Sequence, residues 1–393
     1  MDKKSKKYKT KLKSKFIIIH FGEIWLKGRN RSTFIKKLYN NIIVALRDEK
    51  FDKLYDKRDK FLLALNNKSN INSILNKLKY VFGISWFAPV FITKNDIKDI
   101  IKTANNILDD SKDVKIIANR SFKKFKLTSY EIVSEFIKEK NKLNFNIDKN
   151  GKAFLYINIT NTGAFLYTEK INGANGLPVG SSGKAVILLS GGIDSPIAAF
   201  YAMKRGLAPI YLHLHAFSNN NNVLNSKILE ILKLLSRYEP LAKCYIVPSH
   251  YYQTSILGLN SRNELVLFKH FLYKIAHKIA LKEGANSIVT GESIGQVASQ
   301  TVKNLISTEY DIEEFIMRPL IGFDKQEIID IARKLGTYET SIKFYPDVCS
   351  MKAKNQSTLS NPKIIETIYK KYNLPEIEDK SLDSSLIIKI SDI

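Results

Sequence analysis

The sequence predicts a multidomain α/β protein whose C-terminal part is a doubly wound parallel sheet. From residue 185 onward, short apolar runs alternate with amphipathic stretches of helical length, which is the pattern of parallel strands joined by crossover helices. Before residue 173, strands and helices follow one another in a mixed α+β order. The chain of 393 residues also exceeds the size that one hydrophobic core usually serves. We therefore expect two or three domains.

The N-terminal part is predicted to hold two α+β domains behind a basic, disordered leader at residues 1–15. Residues 16–93 have a β-α-β-β-α-β-like order, and residues 94–172 repeat the mixture of strands and helices. The predicted elements are strands at 16–20, 61–65, 86–92, 113–118, 153–159 and 164–171, and helices at 32–47, 71–79, 95–108 and 129–140.

A glycine-rich stretch separates these domains from the parallel-sheet domain. Residues 171–184, INGANGLPVGSSGK, contain four Gly and one Pro, so residues 173–184 are predicted to be a linker. The parallel-sheet domain is predicted at 185–375, and a C-terminal tail at 376–393. The predicted strands of this domain are 185–189, 208–213, 243–248 and 287–290, with helices at 196–205, 223–235 and 263–283.

The net charge of +24 is concentrated in the first half of the chain. Residues 1–180 hold 37 Lys and Arg against 17 Asp and Glu, whereas residues 181–393 hold 25 against 21. Like charges on one surface repel each other unless an anion binds there. The first half therefore predicts a polyanionic partner, most simply nucleic acid. The alternative is a solvated lysine-rich surface with no partner.

The composition excludes several other classes of protein. Hydrophobic residues make up 44% of the chain, which rules out global disorder, and no apolar run reaches the length of a membrane span. The two cysteines, Cys244 and Cys349, lie far apart in the sequence, which argues against a disulfide framework and a zinc site. We therefore expect a cytoplasmic protein without a membrane partner. Cys244, in the apolar run CYIVP, is predicted to be a small buried hydrophobe.

The stretch at 188–200, LLSGGIDSPIAAF, indicates a phosphate-binding turn between a strand and a helix. Gly191 and Gly192 let backbone N–H groups approach a phosphate, and the following helix directs its positive dipole end at the anion. Asp194 repels a bare phosphate unless Mg²⁺ or a structural hydrogen bond holds the carboxylate, so a nucleotide bound with Mg²⁺ is expected rather than bare phosphate. An ordinary glycine turn is the alternative.

This stretch lacks the lysine of a Walker A motif and the spacing of a dinucleotide fingerprint. The pattern Ser-Gly-Gly-x-Asp-Ser instead resembles the pyrophosphatase loop of N-type ATP pyrophosphatases, which split ATP between the α and β phosphates. A second polar cluster, TGESIGQVASQT at 290–301, follows the last predicted strand and contains Gly291, Glu292, Gln296 and Gln300. Such a cluster can present amides to a purine edge or a ribose, although Gly- and Gln-rich loops without a ligand are common.

Together with three N-terminal motifs, these clusters resemble the tRNA 4-thiouridine synthetase family, ThiI, also called tRNA uracil 4-sulfurtransferase. FGEIWLKGRNRSTF is similar to the family's opening signature, and NRSFKKFKLTSYEI and GAFLYTEKINGANGLPVGSSGK are similar to its THUMP RNA-binding domain and linker. The resemblance covers residues 16–375. It implies a ferredoxin-like domain at 16–93, a THUMP domain at 94–172 and a pyrophosphatase-loop domain, of the adenine nucleotide α-hydrolase type, at 185–375.

The resemblance implies ATP-dependent thiolation of a tRNA uridine, expected at position 8, to 4-thiouridine. Adenylation of the C4 oxygen would create an AMP leaving group that persulfide or sulfide sulfur displaces, with pyrophosphate and AMP as products. The resemblance also implies a homodimer, a cysteine desulfurase or other persulfide or sulfide donor as partner, and, in some members, a sulfur-carrier role in the thiazole synthesis of thiamine.

The family's site residues carry over to this sequence position by position. Asp194 and Cys349 are the implied catalytic residues. The implied ATP-binding residues are Leu188, Leu189, Ser190, Gly191, Gly192, Asp194, Ser195, His213, Leu214, Lys269, Gly291 and Gln300. Without the resemblance, His213 alone would signal little. Cys349 lies in the Lys-containing stretch YPDVCSMKAKNQS, which can favour the thiolate, and a surface cysteine with no role is the alternative.

Two departures from the family pattern affect the expected source of sulfur and the cofactors. Some members carry a C-terminal rhodanese domain whose cysteine bears the persulfide, but no cysteine follows Cys349, so we expect the sulfur to come from another protein. Some archaeal members hold an iron–sulfur cluster through a Cys-x-x-Cys near the helix of Lys269. Here residues 265–268 read LVLF, which argues against an iron–sulfur cluster.

The basic first half is assigned to tRNA by the same resemblance. A folded RNA is recognised through its shape and phosphates more than through base edges, and the target base must leave its stack to reach a pocket. Each cation alone is more often a solvated charge, so the prediction concerns the set. The candidate RNA contacts are Lys27, Arg29, Arg31, Arg120, Lys123, Lys124 and Lys126.

Three alternative functions are considered. Another pyrophosphatase-loop synthetase, one that forms an amide or a guanidine, would need ammonia delivery, and no glutaminase-like Cys/His arrangement is present in the sequence. A non-catalytic THUMP RNA-binding protein would not need the intact Ser-Gly-Gly-x-Asp-Ser loop. A THUMP-linked RNA methyltransferase would need a Gly-rich cofactor loop of another pattern.

Overall fold

The structure is a computed structural model that describes residues 14–57, 59–108, 113–259, 262–346 and 357–392. The chain divides into two compact units. The first comprises the described residues within 1–25, 46–79 and 84–175, and the second those within 26–45, 80–83 and 176–393. The leader expected at 1–15 lies outside the described residues except for its last two. One of these, Ser14, is buried and its hydroxyl donates to the carbonyl of Val90 at 2.8 Å.

The elements before residue 173 follow the predicted order, with three short strands, β2, β6 and β9, that the pattern did not separate. Only Leu54 of β2 is buried, so this strand has too little apolar pattern to be read from the sequence. The elements are β1 (Phe16–Phe21), α1 (Arg31–Ala45), β2 (Lys53–Asp56), β3 (Phe61–Ala64), α2 (Ile71–Leu78), β4 (Ile84–Thr93), α3 (Ile97–Ile107), β5 (Asp113–Arg120), α4 (Ser129–Lys138), β6 (Asn146–Ile147), β7 (Ala153–Thr160), β8 (Gly163–Tyr167) and β9 (Ile171–Asn172).

Within the described residues, the first unit contains one nine-stranded sheet in the order β2-β3-β1-β4-β8-β7-β5-β6, with β9 paired to β4. The placement of β1 between β3 and β4 is the ferredoxin-like arrangement expected from the β-α-β-β-α-β order. The ten-residue strand β4 pairs with β1 and, through its last residues, with β8. This long strand therefore joins the two α+β parts in a single sheet.

The elements after residue 173 alternate as predicted. The elements are β10 (Lys184–Leu188), α5 (Asp194–Lys204), β11 (Ala208–His215), α6 (Asn221–Leu224), α7 (Lys227–Leu235), β12 (Lys243–Pro248), α8 (His250–Ser255), α9 (Glu264–Glu283), β13 (Ser287–Val289), α10 (Val302–Glu309), β14 (Phe315–Met317), α11 (Lys325–Leu335), α12 (Tyr338–Ser341), α13 (Pro362–Lys371), α14 (Leu374–Asp383) and β15 (Leu386–Lys389).

Six of the strands described in the second unit form a sheet in the order β14-β13-β10-β11-β12-β15. The first five are parallel to one another, and β10 lies between β11 and β13. The helix α9 buries most of its length in the core against these strands. Because the carboxyl ends of parallel strands share one edge, the segments after β10, β11, β13 and β14 converge there, where α/β sheets bind ligands. No described helix is long and apolar enough to cross a membrane.

The C-terminal residues are part of this fold, so the expectation of a tail at 376–393 is wrong. Most of α14 and the strand β15 lie in this range, and β15 pairs antiparallel with β12. Ile390 is buried and its N–H donates to the carbonyl of Ala242 at 2.9 Å. An unpaired edge strand exposes backbone donors and acceptors, and β15 covers that edge of β12. The strand is only four residues long, too short for the sequence pattern to distinguish from a tail.

Removing β15 should destabilise the second unit. A chain ending at Ser385 would uncover the edge of β12 and lose the burial of Ile390, so we expect the free energy of unfolding to fall by about 2–4 kcal/mol. Urea denaturation followed by circular dichroism measures this change. A chain ending at Ser391 keeps the strand and serves as the control. Equal stability of the two truncated chains would contradict the assigned role of β15.

Candidate nucleotide-binding site

The loop at 190–193 turns the chain sharply between β10 and α5. Gly191 has φ +75°, a backbone conformation that side chains disfavour, and a Cβ atom there would lie 2.7 Å from Cδ1 of Ile228. Ser195, in the first turn of α5, accepts a hydrogen bond from the backbone N–H of Ser190 at 3.1 Å through its hydroxyl. The hydroxyl of Ser190 accepts from the N–H of Gly192 at 3.3 Å. The two serines thus hold the loop closed at the start of α5, whose N-terminus favours an anion.

The segment after β13 packs directly against this loop. A Cβ atom on Gly291 would lie 2.9 Å from both the carbonyl carbon of Asp194 and the amide nitrogen of Ser195. Those two atoms are backbone and have little freedom to move, so only glycine allows this approach. The contact brings the second polar cluster, residues 290–301, beside the first turn of α5.

A cavity of about 460 Å³ lies at this junction. Such a volume is within the usual range for small-molecule and cofactor sites. Apolar side chains line part of it and polar or charged groups line the rest. The lining residues are Leu188, Leu189, Ser190, Asp194, Ser195, Leu212, Leu214, Leu265, Phe268, Lys269, Leu272, Tyr273, Thr290, Gly291, Glu292, Val297, Ser299 and Gln300.

Asp194 is held by two side chains: Gln296, which belongs to the polar cluster at 290–301, and Lys325, which no motif in the sequence indicated. Its Oδ1 is 2.6 Å from Nζ of Lys325, at the start of α11, and its Oδ2 accepts a hydrogen bond from Nε2 of Gln296 at 3.0 Å. Lys325 lies 131 residues away from Asp194 in the sequence, so no local motif signals the pair. The lysine places a positive charge beside the pyrophosphatase loop.

A second acid, Glu292, is buried at the cavity and surrounded by donors. Its Oε1 accepts from Nζ of Lys269 at 2.9 Å, and its Oε2 accepts from the Tyr273 hydroxyl at 2.9 Å and from Nε of Arg318 at 3.1 Å. Burial opposes ionisation of this carboxyl, but the charges of Lys269 and Arg318 outweigh it, so the pKa of Glu292 is lowered. Arg318 also donates to Glu309 at 2.7 Å. The group therefore consists of two cations and two carboxylates.

The His213 side chain is buried and does not line the cavity. Its Nδ1 lies 2.7 Å from the Leu189 carbonyl oxygen, and its Nε2 lies 2.7 Å from the Tyr345 hydroxyl. Burial lowers the pKa of His213 to about 4, so the ring is neutral at pH 7. Because a carbonyl only accepts, Nδ1 carries the proton and Nε2 accepts from Tyr345. The imidazole thus links Leu189, directly after β10, to Tyr345 through two hydrogen bonds.

The structure brings most of the sequence-predicted ATP-binding residues to one cavity. The cavity is lined by Leu188, Leu189, Ser190, Asp194, Ser195, Leu214, Lys269, Gly291 and Gln300. Gly191 and Gly192 shape the loop between the lining serines. Gln300 is mostly buried, and its Oε1 has no hydrogen-bond partner among the described residues. A buried acceptor without a donor is costly, so this atom is suited to accept from a ligand.

The remaining predicted residues lie elsewhere. Cys349 is outside the described residues, whereas Cys244 is buried in β12, as its apolar surroundings predict, and burial raises the pKa of its thiol. Among the candidate RNA contacts, the lysines at 123, 124 and 126 and Arg29 are exposed. Lys27 and Arg31 are half-buried, and Lys27 lies 5.1 Å from the centre of the Phe34 ring.

Arg120 has a structural contact as well as a candidate role. Its guanidinium donates to the carbonyl of Phe125 at 2.9 Å. This hydrogen bond closes the loop between β5 and α4, which presents the three exposed lysines at 123, 124 and 126. Arg120 therefore shapes the basic loop from within.

Comparison with known proteins identifies relatives along nearly the whole chain. Residues 180–374 match the family described as thiamine biosynthesis protein (ThiI), and residues 16–88 match the ThiI ferredoxin-like domain. A probable tRNA sulfurtransferase of Natranaerobius thermophilus is 33% identical over 393 residues, covering 95% of this chain and 95% of the relative. A probable tRNA sulfurtransferase of Caldanaerobacter subterraneus subsp. tengcongensis is 37% identical over 341 residues, covering 85% of this chain and 89% of the relative.

Solved structures give the same result. The chain is similar to a 4-thiouridine synthetase crystallised in complex with RNA and with bound ATP, at a TM-score of 0.84 and 32% identity, covering 95% of this chain and 99% of that one. It also shares its fold with PH1313 from Pyrococcus horikoshii, at a TM-score of 0.62 and 24% identity over 82% of this chain and 99% of that one.

The buried, neutral His213 should affect how the free energy of unfolding depends on pH. Its pKa is about 4 in the folded protein against an ordinary value of 6.5. As the pH falls below 6.5 the unfolded chain takes up this proton first, so the stability contributed above pH 6.5 is lost between pH 6.5 and 4. The expected slope is about 1.4 kcal/mol per pH unit. His213→Gln should therefore be less stable at pH 7 and have a shallower pH dependence in this window.

Urea denaturation at several pH values between 4 and 7 measures the difference. His250→Gln replaces an exposed histidine and should keep the wild-type slope. An unchanged slope in His213→Gln would refute the buried, neutral state of this ring.

Proposed function

The chain belongs to the ThiI family of tRNA sulfurtransferases, and on this basis we propose how its own residues carry out ATP-dependent thiolation of tRNA. The resemblance indicated by the sequence motifs is thereby confirmed, together with the α/β fold class. The chain is an enzyme, a tRNA sulfurtransferase that forms 4-thiouridine. The observation that carries the proposed mechanism is the Ser-Gly-Gly-x-Asp-Ser loop at the N-terminus of α5, which borders a cavity lined by Lys269. Lys325 forms an ion pair with the aspartate of this motif, Asp194.

The cavity is proposed to bind ATP with its base in the apolar part and its phosphates at the loop. Leucine side chains, including Leu212 and Leu214, suit the planar base, and the amide of Gln300 suits the hydrogen-bonding edge of adenine. The N–H groups of the loop and of the first turn of α5 would receive the phosphates. All twelve predicted ATP-binding positions remain proposals. For His213 the proposed contribution is indirect, since its ring is used by Leu189 and Tyr345.

Asp194 is proposed to act in adenylation together with Lys325. The uridine C4 oxygen attacks the α phosphate, the bond to the β phosphate breaks, and pyrophosphate leaves with added negative charge. Cations fixed beside the phosphates stabilise that charge without reorganising. Lys325 and Lys269 are the cations placed to do so, and Asp194 holds Lys325 in position.

Mg²⁺ fits this site as part of the nucleotide. Among the described residues, no cluster of three or more His, Cys, Asp or Glu side chains could hold a metal alone. Glu292 is buried and binds three donors, whereas Asp194 accepts from Lys325 and Gln296 but lies directly after the loop that would receive the phosphates. Mg²⁺ commonly binds through one or two carboxylates and substrate phosphates, so Asp194 and the triphosphate would hold it. When bound, it would neutralise phosphate charge.

Cys349 is proposed to transfer the sulfur. A persulfide on Cys349 attacks C4 of the adenylated uridine through its outer sulfur, and the C4–oxygen bond breaks to release AMP. The product is then joined to Cys349 by a sulfur–sulfur bond, which a second thiol must cleave to release 4-thiouridine. Cys244 is buried in β12 and cannot serve, so the resolving thiol must come from another molecule, such as a thiol reductant.

The first half of the chain is proposed to bind the tRNA and present uridine 8. Residues 1–180 hold 37 cationic residues against 17 anionic ones, and this excess of positive charge suits a polyphosphate backbone. The proposed contacts are Lys27, Arg29, Arg31, Lys123, Lys124 and Lys126, with Arg120 supporting the loop that carries the last three. Residues 16–93 are proposed as the ferredoxin-like domain, 94–172 as a THUMP domain and 185–375 as the catalytic domain.

The remaining proposals follow from family membership. A cysteine desulfurase or another persulfide or sulfide donor is proposed as the partner that loads Cys349. We also propose a homodimer, a location in the cytoplasm and a sulfur-carrier role in thiazole synthesis. The sequence stretch LVLF at 265–268 gives no thiolate ligands for an iron–sulfur cluster, and none is proposed.

Substitutions at Asp194 and Cys349 should separate the two chemical steps. Asp194→Asn should lower tRNA-dependent pyrophosphate release about 100-fold or more, because Lys325 loses its anionic partner beside the phosphates. Cys349→Ser should release pyrophosphate at the wild-type rate but form no 4-thiouridine with a cysteine desulfurase as donor. Pyrophosphate release and nucleoside mass spectrometry measure the two products.

Asp330→Asn is the matched control, since it changes an exposed carboxylate on the same helix as Lys325, and both products should stay at wild-type levels. Full pyrophosphate release by Asp194→Asn would contradict its role in adenylation. Full thiolation by Cys349→Ser with the protein donor would contradict its role in sulfur transfer, although activity with free sulfide is compatible with it.

Replacing Lys123, Lys124 and Lys126 together with alanine should weaken tRNA binding and reduce its salt dependence. If all three contact phosphates, the slope of log K against log salt should fall by about 2–3. Filter binding at several salt concentrations measures this slope. Lys98→Ala with Lys102→Ala, two exposed lysines of α3 outside the proposed set, should leave the slope closer to wild type. Equal slopes for the two variants would argue against the basic loop as a specific contact.

A further inference from the structure

Glu292 differs from Asp194, the other carboxylate that lines the cavity, because it is almost completely buried and accepts from three side chains rather than two. It follows β13, is only 5% exposed, and binds Lys269, Tyr273 and Arg318 at 2.9–3.1 Å. Lys269 and Tyr273 lie four residues apart on α9, on one face of that helix. Arg318 follows β14, the strand next to β13 in the sheet. Donors from two separate elements, α9 and the end of β14, therefore converge on one carboxylate that follows β13.

This convergence has an electrostatic reason. A buried charge is costly unless it is paired and hydrogen-bonded. Lys269 lines the cavity, and Arg318, which binds Glu292 but does not line the cavity, has a second carboxylate, Glu309, at 2.7 Å. Glu292 is the acid within hydrogen-bond distance of Lys269. Without it, the charged end of Lys269 would have no hydrogen-bond partner among the described residues.

We propose that Glu292 is a positioning residue for adenylation, which fixes the ammonium group of Lys269 in the cavity for the departing pyrophosphate. The ammonium carries three donors and Glu292 accepts one of them, so the group can be held and still donate to a ligand. Tyr273 and Arg318 fix the carboxylate in turn. This inference rests on the proposed function of the cavity and adds a residue to it.

A fixed cation affects the reaction more than it affects substrate binding. Charge builds on the pyrophosphate as the bond to the α phosphate breaks, and a group already in place stabilises that charge without reorganising. Removing the negative charge of Glu292 leaves the cations of the cavity present, so their general attraction for ATP persists. The signature of a positioning role is therefore a lower kcat with little change in the affinity for ATP.

The variant Glu292→Gln tests this proposal in the full-length enzyme. We expect the rate of tRNA-dependent pyrophosphate release at saturating ATP to fall about 10–100-fold, while the Kd for ATP changes less than about 3-fold. Equilibrium binding of ATP and steady-state kinetics provide the two numbers. An unchanged kcat in folded Glu292→Gln would overturn the proposal, as would a large loss of ATP affinity with kcat unchanged.

Glu283 offers a matched control within the same unit. Like Glu292, it accepts hydrogen bonds from a lysine, Lys243 at 2.8 Å, and from a tyrosine hydroxyl, Tyr245 at 2.7 Å. It lies at the end of α9 and does not line the cavity. Glu283→Gln should lower the thermal stability in a similar way but keep the wild-type kcat. An equal fall in kcat for the two variants would show that Glu292 acts only through stability.

A double-mutant cycle distinguishes action through Lys269 from any other route. In a Lys269→Met background, adding Glu292→Gln should lower kcat by less than about 2-fold, because the group that Glu292 positions is already gone. Multiplicative effects of the two changes would overturn the proposal.

If Glu292→Gln does not fold, Tyr273→Phe takes its place. This variant removes one hydrogen bond to the carboxylate and should lower kcat about 3-fold at unchanged ATP affinity. An unchanged kcat would overturn the proposal. Failure of the wild-type enzyme to release pyrophosphate would instead refute the proposed function.

Discussion

The nucleotide site depends on the close approach of Gly291 to the first turn of α5. Because a side chain at 291 would collide with the backbone of Asp194 and Ser195, this glycine allows the segment after β13 to lie against the loop after β10. The parallel pairing of β10 with β13 sets the two strand ends side by side. Without that approach, Gln296 would not reach Asp194, and Glu292 would not reach the cavity beside the loop at 190–193.

A second constraint is the pairing of charges around the cavity. Three cations at or near the cavity have a carboxylate within hydrogen-bond distance: Lys325 has Asp194, Lys269 has Glu292, and Arg318 has both Glu292 and Glu309. The site therefore does not attract polyphosphate through a large unbalanced charge. Selective binding has to come from the helix N-terminus, the loop amides and cations held in fixed positions. The unbalanced charge of this protein lies in the first half of the chain, where a long nucleic acid surface can use it.

The sequence predicted those residues of the site that belong to a contiguous motif, and it missed those that reach the site from a distant part of the chain. The loop at 190–195 is a contiguous motif after an apolar strand, and the positive φ of Gly191 fits the turn that the motif predicts. Gly291 and Gln300 were assigned by the resemblance, and they lie in a second contiguous cluster whose residues line the same cavity. Lys325 and Arg318 were missed because each reaches the site from a separate strand or helix, and nothing in its neighbouring residues marks it. His213 was assigned by resemblance, but the environment of its ring, between Leu189 and Tyr345, could not be read from YLHLHAF.

By itself, the sequence determined the alternation of strands and helices, the phosphate-binding loop, the uneven charge and the shortage of cysteines, because each is a property of neighbouring residues or of composition. It also determined the family, through motifs whose order along the chain is specific. Only the tertiary structure decided that the last residues pair with β12 as an edge strand, and which acid holds which cation. Those outcomes depend on contacts between residues far apart in the chain, where burial makes an unpaired charge or an uncovered strand edge costly, and no local pattern encodes which partner satisfies it.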